Sequence, residues 1–273
     1  MIGATPRPEP LSTHSFVRAL GVPDLVPHLS PFDPGYDVHT VVSHLEQSHH
    51  LISRLKISMA CWLIADEGAT RAKIAAAHRL GVPLVTGGGP FEIAQDRGRL
   101  EQFCELVASH GIDRIEAGEG FTRLRSGPAE IVRMAERHGL TVQMELGEKH
   151  GGAFTPEVVR ELVETGQRWL DAGARQIVVE ARESAQQVGL FDDAGKLNLT
   201  AAEAFAEAFG MERTIFEAPN KKSQFDFLGH FGPEVNLSNV RLEEVLRVEI
   251  YRRGLHSDAY GHMFGWRPRE VPA

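Results

Sequence analysis

From Lys56 onward, short apolar runs alternate with longer amphipathic stretches, and a glycine or a polar cluster closes each one. The short runs predict strands over KISMACW (56–62), VPLVTGG (82–88), DRIEAG (113–118), LTVQMELG (140–147), QIVVEARE (176–183), TIFEAPN (214–220) and EVNLSNV (234–240). The amphipathic stretches predict helices over 69–80, 91–110, 128–138, 156–172, 201–209, 223–231 and 242–253. Pro128 opens one of them, where a first helical turn tolerates a missing N–H, and Gly81, Gly111, Gly139, Gly173 and Gly254 close several.

Near-continuous apolar strands separated by helices imply a parallel sheet buried on both faces. An open doubly wound sheet and a closed barrel both meet that description. No G-x-G-x-x-G turn follows the first strand, and chemically loaded residues recur at the end of strand after strand. Both features favour an α/β fold of the single (β/α)8 TIM-barrel type, whose strand ends converge on one mouth. The first fifty residues differ. Pro6, Pro8, Pro10, Pro23, Pro27, Pro31 and Pro34 interrupt any long element. An irregular Pro- and His-rich segment over 1–50 is expected, with the missing first strand inside Leu20–Leu29. Regular repeats over 51–261 and a tail over 262–273 complete one domain.

Four consecutive predicted strands finish with an apolar residue and a glutamate: Glu116, Glu145, Glu180 and Glu217, separated by 29, 35 and 37 residues. In a barrel these carboxylates meet at the C-terminal mouth. Crowded carboxylates repel unless a cation or a proton lies between them. Lys56, Lys149, Arg182 and Lys221 or Lys222 lie at the same end and supply part of the balance. Oxygen-only donors point to Mg²⁺ or Mn²⁺ for the remainder. Gly87-Gly88-Gly89 offers backbone that can approach an anion closely.

Composition narrows the function further. The 273 residues carry 29 basic against 37 acidic side chains, a formal net charge of −8. An acidic total argues against broad, salt-driven nucleic-acid binding. Residues 1–10 lack the apolar run of a signal peptide, no stretch reaches membrane-spanning length, and Cys61 and Cys104 lack metal-ligand or disulfide-framework spacing. A cytoplasmic protein without membrane or nucleic-acid partners is expected.

GARQIVVEARESAQQVGLFD (173–192), TIFEAPNKKSQ (214–224), VNLSNV (235–240) and YRRGLHSDAYG (251–261) resemble phosphosulfolactate synthase, as do VTGGGPFE (85–92) and MELGEK (144–149). The resemblance implies a Mg²⁺-dependent (β/α)8 barrel that adds sulfite to phosphoenolpyruvate. It assigns catalysis to Lys149, Glu145 and Arg182, with Lys149 as general acid. Lys56, Arg182, Lys222, Ser223 and Asn236 become substrate contacts, and Glu145, Glu180 and Glu217 metal ligands. It gives the Arg252-Arg253 pair a second reading, as an anion contact beside that of a helix end offsetting its dipole. Small anionic substrates and a homo-oligomeric assembly follow from the same likeness. Gln186, Gln187 and Val188 stand where the family carries lysines. That departure leaves open a different nucleophile or phospho-substrate, and the family's heat-stress relatives leave open a non-catalytic role.

Overall fold

The computed structural model describes residues 12–182 and 184–261. The first eleven residues and the 262–273 tail therefore lie outside the described residues, as does Glu183 at the end of the strand predicted over 176–183.

Eight parallel strands close into a barrel in sequence order. They are β1 Leu29–Asp33, β2 Leu55–Ile57, β3 Leu84–Thr86, β4 Arg114–Gly118, β5 Thr141–Leu146, β6 Gln176–Val179, β7 Thr214–Glu217 and β8 Asn236–Arg241. The expected (β/α)8 barrel is the fold. β1 pairs with β2 on one side and β8 on the other, which closes the ring.

The first strand is not inside Leu20–Leu29 but begins where that window ends. All five residues of Leu-Ser-Pro-Phe-Asp are buried. A central proline removes a ladder donor, and the register between β1 and β8 shifts between Ser30 and Pro31 to absorb it. The segment before Lys56 is also less irregular than its prolines suggest. Helix α1 spans Thr13–Ala19, and α2 spans Val38–Ser48 with the Asp37 side chain accepting from Thr40 N. Pro34 falls in the turn between β1 and α2, outside both elements.

The remaining helices are α3 Cys61–Ile64, α4 Glu67–Arg79, α5 Gly88–Asp96, α6 Leu100–Ser109, α7 Pro128–Arg137, α8 Pro156–Asp171, α9 Leu199–Phe209, α10 Lys221–Phe231 and α11 Val245–Arg252. Two of them correct the sequence reading. The predicted 56–62 strand stops at Ile57, because Met59 adopts a left-handed φ of 54° and turns the chain into α3. The single helix expected over 91–110 is two, broken at Gly98 with φ 64°.

The apolar shell between strands and helices is close-packed. Phe216 of β7 stacks on Phe227 and Phe231 of α10 at 4.6 and 5.4 Å between ring centroids. Arg252, fully buried, donates to Pro233 O at 2.9 Å and Val26 O at 3.1 Å and pairs with Glu249 at 2.6 Å. These carbonyls precede β8 and β1, so Arg252 ties down the N-terminal side of the barrel, away from the mouth where the anion-contact reading would put it.

Candidate active site

Successive strands deliver their glutamates to one place. Glu116, Glu145, Glu180 and Glu217 are all buried, at 0 to 3% exposure. Together with Lys56 and Lys149 they line a cavity of about 540 Å³ at the C-terminal mouth, shared with Arg182 and Asn239.

Two ammonium groups knit the carboxylates together. Lys56 Nζ, projecting from β2, lies 2.8 Å from Glu116, 3.4 Å from Glu217 and 3.9 Å from Glu145. Lys149 sits in the turn after β5 and bridges Glu145 at 2.7 Å and Glu180 at 2.8 Å. Backbone donors complete the set. Gly88 N donates to Glu116 Oε1 at 3.0 Å, Ala181 N to Glu217 Oε2 at 2.9 Å, and Arg182 N to Glu180 Oε1 at 2.6 Å.

The glycines after β3 now have a physical reason. A Cβ at Gly87 would stand 2.9 Å from Met59 N, and one at Gly88 would stand 3.3 Å from Glu145 Oε2. The anion approached by this backbone is the protein's own carboxylate pair, at the N-terminus of α5 where unpaired N–H groups favour negative charge.

The electrostatics follow from burial and neighbours. Burial alone would push both lysines down, yet Glu116, Glu217 and Glu145 hold Lys56 above its ordinary value, and Glu145, Glu180 and Glu217 do the same for Lys149. Burial raises Glu116 to about 8, with Lys56 offsetting only part and Glu145 adding to it. Burial raises Glu180 well above the carboxylate range, helped by Glu217 and Glu145. Glu145 goes the other way, because Lys149 and Lys56 outweigh its burial.

Four carboxylates against two ammoniums leave a surplus of two negative charges, and burial beside other carboxylates shifts Glu116 and Glu180 upward. One divalent cation would offset the same surplus, and an all-oxygen donor set suits Mg²⁺. In charge and donor type the residues fit that ion. Among the described residues no three acidic, imidazole or thiol side chains stand ready to hold it as they lie. Lys56 and Lys149 stand between the carboxylates instead.

The structure separates the sequence-predicted residues into two groups. Lys56, Glu145, Lys149, Glu180, Arg182 and Glu217 converge on the cavity. Lys222, Ser223 and Asn236 do not. Lys222 Nζ is held by Gly195 O and Asp226, each at 2.7 Å, and Ser223 is spent on the reciprocal cap with Asn220 at the start of α10. Asn236 opens β8 at the opposite end, bonded to His28 Nδ1 at 2.8 Å and Met211 O at 2.8 Å. The asparagine of β8 that reaches the mouth is Asn239, whose Oδ1 accepts from Lys56 Nζ at 3.3 Å. Met59, Arg182 and Asn239 all adopt left-handed φ near 55° and all line this cavity. Strain of that kind in non-glycine residues clusters at functional sites.

Comparison with known proteins decides the family. Residues 30–258 match the family described as (2R)-phospho-3-sulfolactate synthase (ComA). The chain belongs to the phosphosulfolactate synthase family. It is 28% identical over 230 residues to the phosphosulfolactate synthase of Methanocaldococcus jannaschii, covering 84% of this chain and 92% of that protein. It is 28% identical over 221 residues to the phosphosulfolactate synthase of Methanothermobacter thermautotrophicus, covering 80% and 84%. Among solved structures, KGPDC from Streptococcus mutans superposes with a TM-score of 0.52 at 13% identity, covering 87% of this chain and 94% of that one. That likeness concerns the barrel alone. No helix among the described residues is long and apolar enough to cross a membrane.

Proposed function

We propose that this family member is a phosphosulfolactate synthase-like lyase that adds sulfite to C3 of phosphoenolpyruvate. The observation that carries the reading is the Lys149 ammonium, bridging Glu145 and Glu180 in a mouth where four buried carboxylates meet. In the reaction the sulfite sulfur lone pair forms the C–S bond. The C2–C3 π pair moves toward C1 and becomes an aci-carboxylate, and a proton then arrives at C2. Mg²⁺ held by Glu145, Glu180 and Glu217 would supply Lewis-acid stabilisation of that charge.

The chain's own residues bind and move the proton. Lys149 arrives loaded, because its carboxylate partners hold Nζ protonated. Drawing Nζ away from Glu145 and Glu180 removes the charges that retain the proton and lets it pass to carbon. Arg182, exposed at the rim with Nη1 donating to Lys149 O at 3.0 Å, places a guanidinium where a phosphate oxygen can reach it. Lys56 and Asn239 fix the inner wall.

A second reading keeps the enolate chemistry and changes the nucleophile or the phospho-substrate. Among the described lining residues the cations are Lys56, Lys149 and Arg182, and two of these are already paired. The free thiols Cys61 and Cys104 suit the cytoplasm. The test is a thermal melt with phosphoenolpyruvate. The first reading predicts a rise in Tm that requires Mg²⁺, and no rise with or without Mg²⁺ rejects it together with every other nucleophile for phosphoenolpyruvate, leaving a different phospho-substrate. Phosphoenolpyruvate consumed faster with sulfite than with other nucleophiles then selects the first.

A further inference from the structure

Glu92, in α5, is fully buried. Its Oε2 takes three bonds from the loop after β4, from Phe121 N at 2.8 Å, Thr122 N at 2.9 Å and Thr122 Oγ1 at 3.1 Å. Its Oε1 has no hydrogen-bond partner among the described residues. A buried carboxylate oxygen left without a donor is costly, and the molecule must gain something by keeping it so.

What faces that oxygen is the backbone of two glycines and a lysine stem. A Cβ at Gly118 would stand 3.3 Å from Glu92 Oε1, and one at Gly120 would stand 3.1 Å from it. The same point at Gly120 is 2.9 Å from Lys149 Cγ and 3.1 Å from Lys149 Cε. Lys149 Cε and Glu92 Oε1 are therefore at most about 6 Å apart, with no side chain from either glycine between them. The loop that Glu92 anchors also holds the lysine, since Lys149 N donates to Gly120 O at 2.9 Å.

We propose that Glu92 Oε1 is a second seat for the Lys149 ammonium, taken when a divalent cation claims Glu145 and Glu180. This rests on the Mg²⁺ reading above and resolves the obstacle to it, namely the lysine standing between the carboxylates. Rotation about the last side-chain bonds carries Nζ from one seat to the other. The move gives the orphaned oxygen its donor and frees two carboxylates as ligands. Glu92 is on this account a positioning residue, acting on the reaction through Lys149. Glycine suits positions 118 and 120 because a Cβ at either would crowd Glu92 Oε1, and one at 120 would also crowd the Lys149 stem.

The experiment is a calorimetric titration with MgCl₂ of four proteins: wild type, Glu92→Gln, Lys149→Met and the double variant. Glu92→Gln keeps the size of the side chain and, through its carbonyl, the acceptor for the loop. The expected result is about tenfold weaker Mg²⁺ binding for Glu92→Gln when Lys149 is present, the worth of one hydrogen bond to a charged group. In the Lys149→Met background, Glu92→Gln changes nothing, and Lys149→Met itself binds Mg²⁺ more tightly than wild type. No loss in Glu92→Gln, or an equal loss in both backgrounds, overturns the second seat while leaving the metal reading intact. Absence of Mg²⁺ binding by wild type overturns the metal reading, and the second seat falls with it. Should Glu92→Gln not fold, Glu92→Asp, which withdraws the oxygen by one methylene, is judged by the same comparison.

Discussion

The barrel interior buries a cation at each end, and the two titrate in opposite directions. At the mouth, Lys56 sits among Glu116, Glu145 and Glu217 and is held above its ordinary value. Toward the floor, Arg114 occupies the same strand as Glu116, two residues earlier, and is pushed down to about 9 by burial, with Arg54 and Arg175 adding to the effect. The difference lies in the partners. Arg114 donates to Thr141 Oγ1, Gln143 Oε1 and Gln176 Oε1, neutral acceptors that satisfy its N–H groups without offsetting its charge. Gln143 joins the two regions, because its Nε2 donates to Glu116 Oε2 at 2.8 Å. Depth in the protein does not mark the reactive end. A surplus of carboxylates does.

Removing the central cation from each region is the harshest test of that contrast. Lys56→Met leaves three buried carboxylates without their shared partner and is expected to lower the unfolding free energy by about 3–5 kcal/mol. Arg114→Met loses three hydrogen bonds but also relieves a buried charge, so its cost is expected near 1–2 kcal/mol. Urea unfolding of both variants decides, and equal losses would mean that the two ends are electrostatically alike.

The pH dependence sharpens the same point. Glu116, raised from 4.5 to about 8, contributes stability that is complete below pH 4.5 and lost as pH climbs through 8. Glu180 acts in the same sense. Glu145, lowered, contributes above the ordinary carboxylate pKa and loses that contribution on acidification. The metal-free protein should therefore lose Tm between pH 5 and 8, and Mg²⁺ should raise Tm more at pH 8 than at pH 6, since its ligands must shed protons. A flat Tm profile across that window would remove the proton-holding carboxylates from the account. The smallest effect belongs outside the mouth. Lys222→Ala should leave KM for phosphoenolpyruvate within about twofold, because an exposed i,i+4 pair with Asp226 is worth little. A large rise in KM would return that lysine to the substrate.

What the sequence made legible was periodic. The strands from β3 to β8 and the four glutamates repeat with the βα unit, so their convergence followed from spacing. Local exceptions were not legible in this way. β1 carries a proline and reads as loop until its register shift with β8 is seen. Asn236 and Asn239 lie three positions apart on one strand, and only the barrel shows which end each serves. The left-handed backbone at Met59, Arg182 and Asn239 leaves no mark in composition. Glu92 belongs to the Phe-Glu motif, yet its unpartnered oxygen and its approach to Gly118, Gly120 and the Lys149 stem exist only in three dimensions.

The central claim is that Lys149 delivers a proton to an enolate formed from phosphoenolpyruvate in this mouth. Phosphorus NMR of phosphoenolpyruvate, sulfite and Mg²⁺ with the wild type and with Lys149→Met tests it most directly. The account predicts conversion to phosphosulfolactate by the wild type and a rate at least about a hundredfold lower in the variant. Conversion at the wild-type rate by Lys149→Met, or none by the wild type, would contradict it.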